Sequence, residues 1–201
     1  MSVTGVLTCA LPIYEHGDVD KRYGFVMGGG KPEGAFVPKK EDVVPPCAVK
    51  TLPVQDGDVF DLGGVQIEAI AVPGHTVGTM VYLDRARRVL YSGDACNANT
   101  LLGLPCSTTV ETYAKSLDHL ATYLKGIDKF YGGHGLQAVP AYIVDEAMIL
   151  CEEILSDDDD RFETEFLGRK FLYARKFDGM FHREDGGIAN IAYVMEKVYN
   201  K

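Results

Sequence analysis

Two histidines and one aspartate in this sequence follow short glycine-containing turns. His75 lies in the motif PGHT, Asp94 in GDA and His134 in GGHG. Each motif comes directly after a strand-like apolar run. Glycine at such a turn permits close backbone approach, so a short side chain can reach a shared ion. Two imidazoles and a carboxylate suit zinc or iron better than magnesium or calcium. The three residues are therefore candidate ligands of one metal site.

The strands that place these residues are predicted as two pairs and a later single strand. Five segments have the apolar pattern and the turn-forming boundaries of β-strands. They are, in chain order, Asp58–Leu62, Val65–Val72, Thr79–Leu83, Arg88–Ser92 and Lys129–Tyr131. The first two flank Gly63 and Gly64, a pair typical of a hairpin turn. The next two are joined by a short polar turn, which predicts a second strand pair.

Two helices follow these strands in the prediction. Apolar residues three and four apart predict the first helix over 110–124, with an N-cap in 107–109 and a C-cap at Gly126. The second is predicted from about Pro140 through Ile154, because proline is favoured at the first helical position. The acidic run that follows, Asp157 to Asp160, is predicted to be a solvated loop.

The C-terminal part contains two further strand-like segments, 169–176 and 188–194. Strands therefore come first in pairs, and helices and strands alternate afterwards. That order predicts an α+β fold. A chain of 201 residues is long enough for one domain with its own core, and nothing in the pattern requires a second.

The order and spacing of PGHT, GDA and GGHG resemble the third, fourth and fifth signature elements of the metallo-β-lactamase superfamily. The resemblance covers about residues 49–143. It implies a metallo-β-lactamase-type αββα sandwich, within the α+β class, with a dinuclear metal site between the sheets. By motif position, His75 binds the first metal and His134 the second, and Asp94 bridges both and is the catalytic carboxylate.

The resemblance also implies the chemistry. It predicts a metal-dependent hydrolase in which a metal-bound hydroxide attacks an ester, thioester, lactone or lactam-type bond of a small molecule. The expected cofactor is Zn²⁺, two per complete site, with iron as the alternative. No Ser-His or Cys-His signature is evident, which fits a reaction without a side-chain nucleophile. Thr76 and Gly93 correspond to supporting positions and not to ligands.

One signature element of the superfamily, H-x-H-x-D-H, has no clear counterpart here. That element supplies half of the ligands. The nearest segment is EHGDVDK, in which His16 and Asp20 fit the first histidine and the aspartate, whereas Asp18 and Lys21 replace two histidines. A lysine at a ligand position places a cation where a metal should bind. We therefore expect this segment not to complete the site.

The first residues bear on the missing element. Residues 3–13 read VTGVLTCALPI, which resembles a translated sequencing-library adapter. We expect 1–13 to be non-native and 14–201 to be the C-terminal part of a single metallo-β-lactamase-like domain, incomplete at its N-terminal side. Three ligands without the others bind metal weakly, so the chain as given is expected to be inactive. The alternative is a metal-free scaffold or regulatory protein of the same fold with a degenerate first motif.

Charge and composition limit the expected partners. The formal net charge of -9 disfavours nucleic acid, because it repels phosphate backbones. No apolar stretch approaches the length of a membrane span, so no membrane partner is expected. The five cysteines show no C-x-x-C pair, which predicts reduced thiols and a cytoplasmic location. The oligomeric state is left open.

Five more residues are considered for a role in the site. Cys96, just after the GDA motif, is interpreted as a small packed residue, with a soft ligand or reactive thiol as the alternative. His119 lies one position off the apolar stripe of the first helix and is predicted at the surface. His182 is also interpreted as lying away from the site, with a place on the substrate side of the cleft as the alternative. Asn190 and Tyr193 are assigned no role.

Overall fold

The computed structural model describes residues 37, 39–42, 52–134, 138–166, 169–178 and 182–201. Within that part of the chain, a six-stranded and a four-stranded sheet accompany two α-helices. The strands are β1 (Val59–Asp61), β2 (Gln66–Ala71), β3 (Met80–Asp84), β4 (Val89–Gly93), β5 (Thr100–Leu101), β6 (Lys129–Gly132), β7 (Val139–Pro140), β8 (Phe162–Phe166), β9 (Arg169–Tyr173) and β10 (Ile191–Tyr193). The helices are α1 (Val110–Ala121) and α2 (Ile143–Leu155), with short 3-10 helices at Lys40–Asp42 and Met195–Lys197.

The larger sheet contains both predicted strand pairs. Its order is β1-β2-β3-β4-β6-β7. Strand β1 pairs antiparallel with β2, and β3 pairs antiparallel with β4, so both predictions are confirmed. The first turn has φ values of 79° at Gly63 and 99° at Gly64, a left-handed backbone that glycine adopts without steric penalty.

Strand directions in this sheet decide where the candidate ligands lie. Strand β2 is antiparallel to β3, β3 is antiparallel to β4, and β4 is parallel to β6. Strands β2, β4 and β6 therefore run in the same direction, and their carboxyl ends meet one edge of the sheet. The loops that carry His75, Asp94 and His134 leave from that edge. The strand-to-loop design seen in the sequence thus brings all three loops to one side of the molecule.

Both predicted helices are present, but their boundaries differ from the prediction. Helix α1 begins after Thr109, whose side chain accepts a hydrogen bond from the Thr112 N–H at 3.1 Å. The predicted C-cap at Gly126 is wrong: the helix ends at Ala121 with Thr122 as its C-cap, and Gly126 lies in the next turn with a φ of 80°. The chain leaves the helix early and makes an extra turn before β6.

The predicted start of the second helix at Pro140 is also wrong. Pro140 belongs to β7 and pairs with Lys129 of β6, and α2 begins only at Ile143. Strand β7 lies at the edge of its sheet, where a proline without an N–H is tolerated. The same conformational restriction that suits a first helical turn suits this edge strand.

The smaller sheet has the order β5-β10-β9-β8. The two strand-like segments predicted in the C-terminal part are confirmed as β9 and β10, both shorter than expected. Strand β10 pairs antiparallel with β9 and parallel with β5. Strand β5 follows the Asp94 loop in the chain. The C-terminal part of the chain is therefore joined to the segment between the GDA motif and α1.

One apolar core connects these elements. Leu90 of β4 and Phe130 of β6 are fully buried with Leu117 of α1, Leu150 of α2 and Ile191 of β10. Burying each such side chain contributes about 1.5–3 kcal/mol relative to exposure. The helices cover one face of the larger sheet, and none of the described helices is long and apolar enough to span a membrane.

The predicted solvated character of the acidic run is wrong for Asp159. Its side chain is fully buried and accepts a hydrogen bond from the Tyr193 hydroxyl at 2.7 Å. Arg161 Nε lies 3.0 Å from the other carboxylate oxygen. A buried carboxylate needs such partners, so Asp159 helps to attach the end of α2 to β10.

Candidate metal centre

Asp94 and His134 lie in contact at the carboxyl ends of two paired strands. His134 Nε2 is 3.2 Å from Asp94 Oδ1, and Asn97 Nδ2 lies 3.5 Å from the same oxygen. The His134 side chain is 82% exposed and the Asp94 side chain 32%. An imidazole and a carboxylate oxygen at this separation, open to solvent, are placed where an incoming ion can reach both.

The backbone holds these two loops together. The Gly133 N–H donates to the Gly93 carbonyl at 2.8 Å, directly after the pairing of β4 with β6. A Cβ atom at Gly133 would lie only 2.7 Å from Asp94 Oδ1. Glycine at this position is therefore required for the Asp94 carboxylate to approach His134.

His75 is half-buried and its ring is oriented by a backbone carbonyl. Its Nδ1 lies 3.0 Å from the Leu101 carbonyl oxygen. Because a carbonyl only accepts, Nδ1 is the protonated nitrogen, and in the neutral ring Nε2 carries the lone pair. A hydrogen bond of this kind is the usual partner of a metal-binding histidine, so the His75 ring fits the role of a ligand.

The structure therefore places the three predicted ligands as a contacting pair and a separate histidine. Across the described ranges, no three His, Cys, Asp or Glu side chains form a group that could hold a metal ion. Asp94 and His134 are brought together, and His75 leaves the same sheet edge without joining them in such a group. The donor types and the tautomer of His75 fit zinc, and the ligand set as a whole remains a prediction.

Tyr113 connects the His75 and Asp94 loops, and the sequence did not single it out as part of the site. It is fully buried on α1, and its hydroxyl donates to the Ala95 carbonyl at 2.7 Å. Its ring lies against Gly74, where an added Cβ would be 2.3 Å from Tyr113 Cδ2. Burial raises the pKa of Tyr113 well above its usual value, so the hydroxyl remains a donor. The sequence did contain one signal for this role. A tyrosine in the apolar stripe of a helix is expected to be buried, and a buried hydroxyl needs a hydrogen-bond acceptor.

Thr76 and Gly93 shape the turns next to two of the predicted ligands. The Thr76 N–H donates to Thr79 Oγ1 at 3.0 Å, and the two threonine hydroxyl oxygens are also 3.0 Å apart, which closes the turn after His75. Gly93 has a φ of 53°, in the left-handed region, directly before Asp94. Their roles as supporting positions stay predictions.

Cys96 is a packed core residue, as predicted. It is 1% exposed, and burial raises the pKa of its thiol to about 12. The protonated thiol is therefore favoured, which argues against the reactive-thiolate alternative. Cys151 on α2 is likewise buried, and burial raises the pKa of its thiol.

The other histidines lie outside the candidate centre. His119 is partly exposed, as predicted, and its Nε2 lies 3.1 Å from both carboxylate oxygens of Asp56. His182 is 71% exposed and pairs locally with Asp178, with 3.2 Å between Nδ1 and Oδ2. Asn190 accepts from the Arg175 N–H and so helps to hold the smaller sheet.

Some predictions fall on residues outside the described ranges. They concern the adapter-like segment 1–13 and the EHGDVDK segment with His16 and Lys21. These predictions stand as they were made from the sequence.

Comparison with known proteins identifies the family. The sequence model of the Metallo-beta-lactamase superfamily matches residues 10–161, and the chain therefore belongs to that superfamily. This confirms the resemblance carried by PGHT, GDA and GGHG. Together with the two mixed sheets and two helices, it confirms an α+β fold of the metallo-β-lactamase type.

Curated relatives share part of this chain. Acyl-coenzyme A thioesterase MBLAC2 of Bos taurus is 31% identical over 86 residues, which is 42% of this chain and 31% of the relative. Hydroxyacylglutathione hydrolase of Brucella anthropi is 35% identical over 101 residues, 48% of this chain and 36% of the relative. The matches thus span about a third of the length of these relatives, both of which are named as hydrolases.

Solved structures of the superfamily also match. A metallo-beta-lactamase family protein from Thermus thermophilus aligns with a TM-score of 0.48 and 23% sequence identity. The alignment covers 73% of this chain and 50% of that one.

Proposed function

We propose that this chain carries part of the metal centre of a hydrolase that cleaves an acyl bond in a small molecule, with a thioester as the first candidate. The observation that carries the proposal is the common placement of His75, Asp94 and His134 at the carboxyl ends of three parallel-running strands. The names of the relatives, a thioesterase and a hydroxyacylglutathione hydrolase, support the acyl bond.

The residues at this edge supply binding and orientation. His75 presents Nε2 because Nδ1 is held by the Leu101 carbonyl. Asp94 and His134 present one oxygen and one nitrogen 3.2 Å apart. When bound, zinc would supply the Lewis acidity that makes water nucleophilic near neutral pH and that polarises an acyl carbonyl. The Cys96 thiol is 1% exposed and burial raises its pKa, so it is not placed to act as a nucleophile towards a bound substrate.

The H-x-H-x-D-H element limits what this chain does alone. Since the sequence contains no H-x-H-x-D-H element, we propose that the chain binds metal weakly and hydrolyses slowly without the remaining ligands. Zinc is the proposed metal and iron the alternative. A complete set of ligands would be needed for the full activity.

Metal titration of the purified chain tests this proposal. Zinc or cobalt is added to metal-free protein, and the affinities of His75→Ala, Asp94→Ala and His134→Ala are compared with that of the unchanged chain. Each substitution is expected to weaken binding at least about tenfold, because each removes a ligand. His182→Ala is the matched control, since His182 is exposed and lies outside the centre. Equal affinity for all four variants would contradict the proposal.

A metal-free scaffold or regulatory protein is the second candidate. The lack of a three-residue metal-binding group in the described part of the chain favours it. Metal content after purification separates the two candidates. A chain that retains no zinc or iron and shows no saturable binding supports the scaffold, whereas saturable binding of added metal that is weakened by Asp94→Ala supports the hydrolase.

A further inference from the structure

Lys197 makes an unusual set of contacts near the C-terminal end of the chain. Its ammonium nitrogen donates to the carbonyl oxygens of Leu104 at 2.6 Å, Ser107 at 2.6 Å and Pro105 at 3.3 Å. An ammonium has three donors, and here three backbone carbonyls of one turn accept them. The side chain therefore ties the 3-10 helix Met195–Lys197 to the turn 104–107.

The turn held by Lys197 is hydrogen-bonded to the loop that carries His75. Ser107 Oγ donates to the His75 carbonyl at 2.8 Å, and the Val77 N–H donates to the Cys106 carbonyl at 3.0 Å. The Thr108 N–H donates to the Gly74 carbonyl at 2.9 Å. Bonds on both sides of His75 thus attach its loop to the segment that Lys197 fixes.

Ser107 of this turn also contacts the carbonyl group that orients the His75 ring. The Leu101 carbonyl that accepts from His75 Nδ1 lies 3.2 Å from Ser107 Oγ, which therefore contacts both the ring acceptor and the His75 backbone. A displacement of Ser107 would disturb both contacts. Lys197 donates to the Ser107 carbonyl, and it therefore helps to keep the Ser107 hydroxyl in contact with His75 and Leu101.

The position of Lys197 is itself secured by the chain around it. Val198 is buried and its carbonyl accepts from the Glu111 N–H at 3.0 Å. Asn200 Oδ1 accepts from the hydroxyl groups of Thr109 and Thr112 at the start of α1, at 2.7 and 3.0 Å. The segment 195–200 is therefore docked against α1, which gives the ammonium a defined place.

We propose that Lys197 is a positioning residue for His75 in the metal centre. This inference rests on the proposed function, since it gives His75 the role of a ligand. The family match ends at residue 161, so Lys197 lies in the part of the chain outside that match. The structure thus assigns to a lysine near the C-terminal end the task of holding a ligand loop that lies far earlier in the sequence.

The first test uses amide hydrogen exchange of the metal-free chain. Lys197→Met keeps the length of the apolar side chain and removes the three donors. Exchange at the Val77 and Thr108 amides is expected to accelerate about tenfold, while the Leu83 and Leu90 amides in the sheet keep their protection. Lys170→Met is the control, because Lys170 is exposed and pairs with Glu163 away from the site. Uniform loss of protection across the sheet, or no change at Val77 and Thr108, would overturn the proposal.

The second test uses metal affinity and a conservative rescue. Lys197→Met is expected to weaken cobalt binding about tenfold and to change the cobalt absorption spectrum, since the ring of a ligand is less well oriented. Lys197→Arg keeps a cation with several donors and is expected to recover most of the affinity. If Lys197→Met does not fold, Lys197→Gln, which keeps two donors, is measured in the same way. Unchanged affinity in the folded variants would count against the role.

His75→Ala separates a failure of this inference from a failure of the proposed function. If His75→Ala leaves cobalt binding unchanged, the proposed function is wrong, and the exchange experiment alone decides whether Lys197 holds the turn. If His75→Ala weakens binding and Lys197→Met does not, only the positioning role is wrong.

Discussion

The Asp94 and His134 loops and the His75 loop lie at one edge of the same sheet but are held in different ways. Strands β4 and β6 are direct neighbours, and the Gly133 N–H bonds to the Gly93 carbonyl where the strands end. The relation of Asp94 to His134 therefore follows from backbone pairing.

The His75 loop depends on distant side chains. Strand β3 separates β2 from β4, so no ladder joins the His75 loop to the Asp94 loop. Tyr113 contacts both loops, and Lys197 fixes the turn that bonds to the His75 loop. The comparison indicates that two of the predicted ligands are placed by the sheet and that the third is placed by packing and by long-range hydrogen bonds.

The largest loss of stability is expected for Gly74→Ala, in the His75 loop. The added Cβ would lie 2.3 Å from Tyr113 Cδ2 and 2.9 Å from Cε2, and the buried ring is fixed by its bond to Ala95. The free energy of unfolding is expected to fall by about 3 kcal/mol, measured by urea denaturation. In a Tyr113→Ala background the same substitution should have little effect, because the clash is gone. Additive losses in this double-mutant cycle would contradict the packing role of Tyr113.

A smaller effect is expected for Tyr113→Phe. The substitution keeps the ring against Gly74 and leaves the buried Ala95 carbonyl without its donor. The free energy of unfolding should fall by about 1–2 kcal/mol, and zinc affinity should fall as well because the Asp94 loop loses a contact. Tyr142→Phe is the control, since Tyr142 is half-exposed. A Tyr113→Phe variant with unchanged stability and affinity would show that the hydroxyl does not connect the loops.

Gly133→Ala tests the region of the Asp94 and His134 loops. Its Cβ would lie 2.7 Å from Asp94 Oδ1, but the Asp94 side chain is partly exposed and can rotate away. The loss of unfolding free energy should stay below about 1 kcal/mol, while zinc binding weakens because Asp94 leaves His134. In an Asp94→Ala background the substitution should not weaken zinc binding further. A loss of unfolding free energy as large as that of Gly74→Ala would contradict the idea that packing places the His75 loop whereas backbone pairing places the Asp94 and His134 loops.

The sequence predicted those parts of the fold that depend on local pattern. Two apolar runs around the Gly63-Gly64 turn predicted the first hairpin, and the three glycine-containing motifs predicted where the loops leave the sheet. Because β2, β4 and β6 turned out to run in one direction, the three motifs meet at one edge. That outcome agrees with the family resemblance.

The parts that sequence reasoning missed depend on contacts between distant residues. Strands β5 and β7 have two residues each, too few for a periodic signal, and exist because neighbouring strands offer partners. Asp159 was interpreted as solvated from its acidic neighbours, whereas the hydroxyl of Tyr193, 34 positions later, donates to it in the core. Lys197 and Tyr113 carry no motif, and only the fold shows which carbonyls their donors reach.

The smallest effect is expected at Asp56, which anchors the strand before the His75 loop. Its Oδ1 accepts from the Ala71 N–H at 2.7 Å at the end of β2, and both oxygens lie near His119. Partial burial by itself raises the pKa of Asp56, but the Ala71 N–H and the His119 ring together hold it below the usual value of 3.8. The ionised carboxylate is therefore favoured in the folded chain.

The sign of the pH dependence follows from that direction. When the folded pKa lies below the unfolded one, the unfolded chain binds more protons as the pH falls, so the contribution of Asp56 is present above about pH 4 and is lost below it. Because the side chain is 40% exposed, the contribution should be below about 0.5 kcal/mol. The difference in urea midpoint between the unchanged chain and Asp56→Asn should narrow as the pH is lowered through this range. His119→Gln should weaken the same pH dependence, since His119 is one of its causes. If the difference in urea midpoint instead widens as the pH is lowered, Asp56 does not stabilise the start of the His75 loop as a carboxylate.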